Sequence, residues 1–467
     1  MTGFLSGIDS IVVFKNCHDK VGRGTLIHVS RTTLIFEIYN PFSILQLSEV
    51  LKSVHIVRGD RVVYRGRAVV SHIEMAGLML IVSATLIDAW SDTRDMDVSQ
   101  ELSIEAARFV DDWMASHELV PEYQLTVGAL GSYLADLNHW LEEAESGLRD
   151  AGIPSMGEEG GRVKEAYAEI RFPLWLKIAD LYEEFERVSS LVPAEKLNAH
   201  KAYARRVLHP LILSAPFVNI AYSKPSGYAG DHVMLAILLG ETEPDAGSLY
   251  GQMVNDFHVN AAIPQAYRNR MDALVERLIE VSERAIRKRG VCRVLAVGCG
   301  TAGEWDRILA IGLKTGTCEV DLVDANPEAL EAARQRLIKQ VGKDGPLKIR
   351  TFHRSVDDLL RDGHPTGEAS DTVSYDMVYS FSLFDYLPDR IGEKLVRSIS
   401  GWLRPGGRIT LAGMDKSNPN RAQMEHLMEW YLMYRDERTL GLMVPSGMKK
   451  AIQLDNTGIN MMLDITA

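Results

Sequence analysis

The sequence predicts a multidomain chain of mixed class. A small antiparallel β-barrel is expected over residues 1–95, an α-helical region over 96–289, and an α/β doubly wound domain over 290–467. Three observations carry this division. Short runs rich in Val, Ile, Leu and Thr extend to Trp90, and apolar residues then recur at spacings of three and four from Ser99 to about His209. From Val291 onward strand-like and helix-like segments alternate, which implies a parallel sheet covered on both faces.

The strand candidates of the first region are Gly24–Tyr39, Val54–Arg58, Arg61–His72 and Leu78–Leu86, with Gly59-Asp60 as a turn. β-Branched residues fit a pleated, half-buried surface, and polar turns between short runs favour a barrel. In the helical region Phe109, Trp113 and Met114 fit one helix face, as do Leu130, Leu134, Leu137 and Leu141. Gly152–Gly161 reads as a loop, after which Leu174, Ile178, Leu181, Tyr182 and Phe185 share a second face. Pro210 and Pro216 break the periodicity and introduce a loop-rich stretch, Ala215–Pro264, before a long helix, Gln265–Arg289. In the last region the strand candidates are Arg293–Val297, Glu319–Val323, Lys348–Phe352, Met377–Phe381 and Arg408–Ala412, and Gln453–Ile465 reads as a closing hairpin.

The most informative stretch is Arg293–Glu304, RVLAVGCGTAGE. An apolar strand runs into a turn with Gly298, Gly300 and Gly303, and the next strand ends in acid at Asp324. Glycines let a backbone close on a ligand, and an acid at the second strand end can accept two ribose hydroxyls. This places a nucleoside cofactor in the last third of the chain. The spacing Gly-x-Gly-x-x-Gly alone also fits a dinucleotide, so it does not choose the cofactor.

Composition narrows the remaining classes. With 46% hydrophobic and 24% charged residues the chain is ordinarily globular, and a formal charge of −12 argues against nucleic acid as a partner. Cys17, Cys292, Cys299 and Cys318 have no metal-ligand spacing and read as buried thiols, so no metal is expected. Met1–Ser10 lacks a signal pattern and Met75–Trp90 is too short and interrupted to span a bilayer, so a cytoplasmic protein without integral membrane contact is expected.

The wider context of the glycine loop resembles the class I S-adenosylmethionine-dependent methyltransferases, which have a Rossmann-like domain. The fourth strand reads Tyr375-Asp376-Met377-Val378-Tyr379-Ser380, and Leu403-Arg404-Pro405-Gly406-Gly407 precedes the fifth. The resemblance implies S-adenosyl-L-methionine as cofactor and S-adenosyl-L-homocysteine as product. It puts Gly298, Gly300 and Gly303 along the methionine and ribose, Asp324 on the ribose hydroxyls, and Ala325 and Asn326 beside the adenine. Ser355, Val356 and Asp357 then border the adenine ring, and Ser380 lies under the transferable methyl. Many members have an acid two residues before the first glycine. Here Ala296 stands there, so Glu304 or a residue of the helical region is expected to meet the methionine amine.

Two further segments bear on the substrate. Ser214–Met234 packs Tyr222, Lys224, Tyr228 and Asp231 around Pro225, Gly227 and Gly230, either as a binding loop or as a turn tied by an ion pair. A helix through Met424–Arg435 puts Leu427, Trp430, Tyr431 and Tyr434 on one side, either at the site or in the core. Lys224–Asp231 (KPSGYAGD), with Asn418-Pro419, Trp430 and Tyr434-Arg435, resembles a bacterial subgroup that makes the 3-hydroxypalmitic acid methyl ester quorum signal. The resemblance implies a small acyl substrate methylated on its carboxylate. Arg435, Lys224 or Arg421 would orient that carboxylate, and Tyr222, Tyr228 or Tyr386 would face the sulfonium. Trp430 and Tyr434 would contact the substrate, under a helical lid. Tyr228, Lys224, Asp231 and Arg435 are thus the catalytic candidates. A hydroxyl or amine acceptor would instead need a base, for which Asp231, Asp385 and His258 are candidates. A signalling scaffold that only senses the cofactor is the non-enzymatic alternative.

Residues Lys20–Val70 weakly resemble a PilZ domain, the bacterial cyclic di-GMP receptor barrel. Ser30 is kept, but His28 and Thr33 replace an acid and a glycine, and Arg23 has no partner arginine at the required spacing. Cyclic di-GMP binding is therefore not expected, and the barrel is expected to serve dimerisation, partner binding or lid support.

Overall fold

The computed structural model describes residues 10–30, 32–38, 45–58, 61–76, 79–88, 118–150, 161–312, 316–342, 345–366 and 374–466, with 106–107, 110–111, 113 and 114. Phe109, the Gly59-Asp60 turn and all of the Gly152–Gly161 loop except Gly161 lie outside the described residues.

Six strands form a closed barrel: β1 (Ser10–Lys15), β2 (Val21–Val29), β3 (Thr33–Ile38), β4 (Val50–Arg58), β5 (Arg61–Ala76) and β6 (Met79–Leu86). The order is β1-β2-β3-β6-β5-β4, and β4 returns to pair with β1. Alternation of buried and half-exposed residues along β3 and β6 gives each strand one inward face. Phe14, Phe36, Leu51 and Val82 fill the interior. The expected single run Gly24–Tyr39 is a hairpin, since Ser30 turns the chain and its hydroxyl accepts from the Thr33 backbone. Strand β1 carried no signal in the sequence reading.

The helical region opens with α1 (Pro121–Asp150), α2 (Gly161–Ser189) and α3 (Leu197–Ile212). Leu130, Leu134, Leu137 and Leu141 are all buried on α1, as the spacing predicts. Trp113 and Met114, read as one inward face, are exposed. Pro210 lies inside the last turn of α3, and Pro216 starts the next helix, where its missing N–H costs nothing. The stretch read as loop-rich contains α4 (Pro216–Ser223), α5 (His232–Leu238) and α6 (Leu249–Val259), too short to show a clear period. Helix α7 (Ala262–Arg289) then delivers the chain to the sheet. No described helix is long and apolar enough to cross a membrane.

The last domain is a seven-stranded sheet: β7 (Val291–Val297), β8 (Thr317–Asp324), β9 (Leu347–His353), β10 (Tyr375–Ser380), β11 (Leu403–Met414), β12 (Lys449–Leu454) and β13 (Asn460–Thr466). Its order is β12-β13-β11-β10-β7-β8-β9, with β7 to β11 parallel and the closing hairpin antiparallel. Helices α8 (Glu304–Ile311), α9 (Pro327–Val341), α10 (Val356–Asp362), α11 (Asp389–Ser400) and α12 (Glu437–Gly441) accompany it. The order reverses between β7 and β10, and such a reversal opens a crevice at the carboxyl ends of the strands.

The expected helix over Met424–Arg435 does not form. A short turn, Gln423–Leu427, gives way to extended chain, because Glu429 adopts a left-handed backbone (φ 49°). Trp430 then enters the core shared by the helical region and the sheet, while Tyr431 enters the barrel core. That extended segment fastens the barrel to the rest of the chain, for the Ser48 hydroxyl donates to the Tyr431 carbonyl and accepts its N–H.

Candidate functional site

A cleft of about 1220 Å³, solvent mouth included, lies at the crevice between β7 and β10. The turn after β7 forms its floor. Gly298 and Gly300 have positive φ, and Gly298 N donates to the Val323 carbonyl, which pins the turn to the end of β8. Asp324 accepts from Gly300 N at 2.7 Å and from Asn326 N at 2.8 Å, so one carboxylate ties the glycine turn to the β8 end. Burial raises its pKa, and those backbone donors oppose the rise.

Past Gly303, Glu304 faces the cleft from the start of α8. It is 3% exposed and accepts from the Tyr379 hydroxyl. Burial pushes its pKa up to about 7. Glu241, which follows α5, comes close enough to Gly303 that a Cβ there would lie 2.6 Å from its Oε1. Two carboxylates thus converge on one end of the cleft, and a bound cation would relieve the cost of ionising them. Glu241 was not singled out in the sequence, since nothing marks a lone acid in an irregular segment.

At the other end Ser355 caps α10 with a reciprocal capping box to Asp358. Asp357 lines the cleft, and its buried Oδ1 has no hydrogen-bond partner among the described residues. The barrel closes this end. Asn16, His18, Lys20 and Gln46 line the cleft, and Lys20 Nζ donates to Ser355 Oγ at 3.1 Å. The sequence reading named lid support among the roles of the barrel but placed none of its residues at the site. Helix α5 and its preceding loop supply Tyr228, Gly230, His232, Leu235 and Leu239, and the segment after β10 supplies Phe381, Ser382, Leu383 and Tyr386.

Among the cofactor candidates, Gly298, Gly300, Gly303, Glu304, Asp324, Ala325, Ser355, Val356 and Asp357 border this cleft. Asn326 does not. It caps α9 and borders an adjoining cavity that also touches Tyr228. Ser380 is buried behind the cleft, and its Oγ has no partner among the described residues.

Most substrate candidates are elsewhere, and the reasons are visible in their contacts. Arg435 is 1% exposed and bonds Asp389 and the carbonyls of Phe384 and Leu387, so its donors are committed to holding the chain after β10. Lys224 is buried, donates to the carbonyls of Met428 and Tyr222, and has its pKa lowered by burial to about 8. Asp231 is the N-cap of α5, accepting from Met234 N and Ser226 N. Tyr222 packs edge-on against His209. Arg421 pairs with Glu425 and lies over the Tyr434 ring, and Tyr434 bonds Asn418. Trp430 donates its indole N–H to the Tyr386 hydroxyl at 3.0 Å, supporting the cleft from behind.

Two base candidates are likewise engaged. Asp385 is fully buried and bound by Arg270 at 2.6 Å and by the Tyr267 hydroxyl. Arg270 also donates to the Phe381 carbonyl and to Asn460, so this ion pair anchors the cleft wall after β10. His258 is buried between Tyr182 and the Val254 carbonyl, and burial lowers its pKa to about 4. Of the catalytic candidates only Tyr228 borders the cleft. Burial, and then the charge of Asp324, raises its pKa and keeps the phenol protonated.

Residues 295–409 match the family model described as a methyltransferase domain. No curated protein matches the chain. Among solved structures, the magnesium protoporphyrin IX methyltransferase of Synechocystis PCC 6803 with bound SAH is 11% identical, with a TM-score of 0.33, over 44% of this chain and 86% of that one. The CMeT domain of the citrinin polyketide synthase is 17% identical, with a TM-score of 0.32, over 59% and 70%. The N-methyltransferase NodS from Bradyrhizobium japonicum WM9 is 11% identical, with a TM-score of 0.27, over 42% and 96%. Likeness at this level bears on neither substrate nor mechanism. The last domain of the chain is a methyltransferase domain, and its cleft has the donors and acceptors for an adenosyl cofactor.

Proposed function

We propose that this enzyme, an S-adenosylmethionine-dependent methyltransferase, methylates the carboxylate of an acyl substrate. The 3-hydroxy fatty acids of the quorum-signal subgroup are the first class to test. Asp324 would hold the ribose, Asp357 the adenine edge, and Glu304 with Glu241 the methionine amine. When bound, the cofactor supplies a methyl group on a sulfonium and leaves as S-adenosylhomocysteine.

The observation that supports a carboxylate acceptor is the character of the remaining wall. Leu235, Leu239, Met271, Phe381 and Leu383 are apolar, and two phenols, Tyr228 and Tyr386, stand among them. Burial raises both phenol pKa values, so each keeps its proton and can donate to an anionic oxygen. A fatty carboxylate arrives ionised at neutral pH and needs no proton removed. The work left to the chain is to exclude water and align one oxygen with the methyl, worth on the order of 7–11 kcal/mol when complete. Orientation by two neutral donors replaces the arginine clamp that the sequence suggested.

A hydroxyl or amine acceptor is favoured by one observation. His232 lines the cleft with its buried Nδ1 unpartnered among the described residues, where it could take a proton. The two readings separate in one experiment. The protein is incubated with S-adenosylmethionine and a panel of plain and 3-hydroxy fatty acids, methyl esters are measured by mass spectrometry, and kcat/KM is followed from pH 6 to 8. Ester formation without an ascending limb supports the carboxylate. No ester, or an ascending limb with another acceptor that is lost in His232→Gln, overturns it in favour of the histidine.

A further inference from the structure

The N-terminal barrel reaches into the cleft. Its β1–β2 turn, Asn16–Lys20, enters the cleft beside the first turn of α10. The turn is rigidly built. Asn16 Oδ1 accepts from His18 N and Lys20 N, Asn16 N donates to the Lys20 carbonyl, and Asp19 sits at φ 60°. Buried Glu49 then fastens two barrel segments at once, accepting from Cys17 N and from Gln46 N, each at 3.0 Å. The barrel is seated on the loop before α5, where Val50 N donates to the Gly227 carbonyl at 2.7 Å. At the cleft, Lys20 Nζ bonds Ser355 Oγ and stands 3.7 Å from both Asp357 and Asp358. His18 lines the same wall.

We infer that His18 and Lys20 are cofactor-binding residues that close the nucleoside end of the cleft, so that the barrel is a structural part of the adenosyl site. This rests on the reading of the cleft as an S-adenosylmethionine site with its nucleoside end at Ser355–Asp357. Lys20 offers hydrogen-bond donors beside Asp357 Oδ2, whose neighbour Oδ1 has no partner among the described residues, and His18 offers a flat ring with one donor and one acceptor. A nucleoside presents the matching set: ribose oxygens, ring nitrogens and an aromatic face. No such wall exists in the methyltransferase domain alone, because both residues are supplied from more than 330 positions upstream of Ser355.

The test uses the full chain and two probes, S-adenosylhomocysteine and methylthioadenosine, which share the nucleoside and differ in the amino-acid end. Calorimetric titration of wild type, Lys20→Met, His18→Ala and Lys15→Met is compared, with thermal unfolding of each. Lys15 is the control, exposed at the end of β1 on the same barrel and not among the residues bordering this cleft. The expected result is an equal loss of about tenfold for both probes in Lys20→Met and in His18→Ala, with Lys15→Met and all unfolding midpoints unchanged. Wild-type affinity retained in both cleft variants overturns the inference, as does a loss confined to S-adenosylhomocysteine or an equal loss in Lys15→Met. Wild type binding neither probe removes the underlying cofactor reading and this inference with it.

Discussion

Glu304→Gln should make the unliganded protein more stable and the cofactor site weaker, with both effects governed by pH. Burial raises the Glu304 pKa from 4.5 to about 7, while in the unfolded chain the group titrates near its ordinary value. The folded state therefore holds the proton more tightly. The resulting stabilisation is complete below about pH 4.5, declines as pH rises towards 7, and is absent above it. The gap corresponds to roughly 3 kcal/mol between the two protonation states. Glutamine keeps an acceptor for the Tyr379 hydroxyl and carries no charge to bury, so it should recover roughly 1–3 kcal/mol at pH 8 and less than about 1 kcal/mol at pH 5. Binding responds in the opposite sense. An ammonium group near Glu304 favours the carboxylate, so wild type should release about half a proton on binding S-adenosylhomocysteine at pH 7. The variant should release less and bind about 10–100-fold more weakly. Urea unfolding at pH 5 and 8, and calorimetry in buffers of different ionisation enthalpy, measure these quantities. Identical pH dependence of stability in variant and wild type, or unchanged affinity, would refute the assignment of Glu304 as a buried acid waiting for a cation.

Three other substitutions test the frame around the cleft. Asp324→Ala removes the acceptor of Gly300 N and Asn326 N together with the proposed ribose contact, and calorimetry should show S-adenosylhomocysteine binding weakened at least about 100-fold. Arg270→Ala leaves Asp385 charged and unpaired at zero exposure, and should lower stability by about 3–5 kcal/mol in urea unfolding. Arg435→Ala should act in the same way by freeing the Phe384 and Leu387 carbonyls; a loss of about 2 kcal/mol or more is expected, with KM for any acyl substrate unchanged in the protein that remains folded. A selective rise in KM without loss of stability would restore Arg435 to the substrate.

Motifs whose chemistry depends on neighbours in sequence were legible in the chain. The glycine turn, the acid after β8 and the alternation of strands and helices are local patterns, and the cleft was expected where they converge. The candidates that lie away from the cleft have a common origin. Lys224, Asp231, Trp430 and Arg435 were singled out because charged and aromatic residues cluster in their segments, yet sequence density cannot tell a group facing a ligand from one satisfying a backbone. In the folded chain Asp231 caps a helix, Arg435 collects carbonyls and Lys224 bridges two turns. Each is spent on positioning the loops that do reach the site.

The sequence by itself determined the order of three structural regions and the local geometry of the glycine turn, because hydrophobic period and turn chemistry act over a few residues. Only the tertiary structure decided which distant side chains share the cleft. Glu241 meets Gly303 because the chain after α5 folds over the turn following β7, and Lys20 meets Ser355 because Ser48 and Tyr431 seat the barrel against the other two regions. Such juxtapositions arise from long-range packing of apolar surfaces, and no pattern within either segment records them.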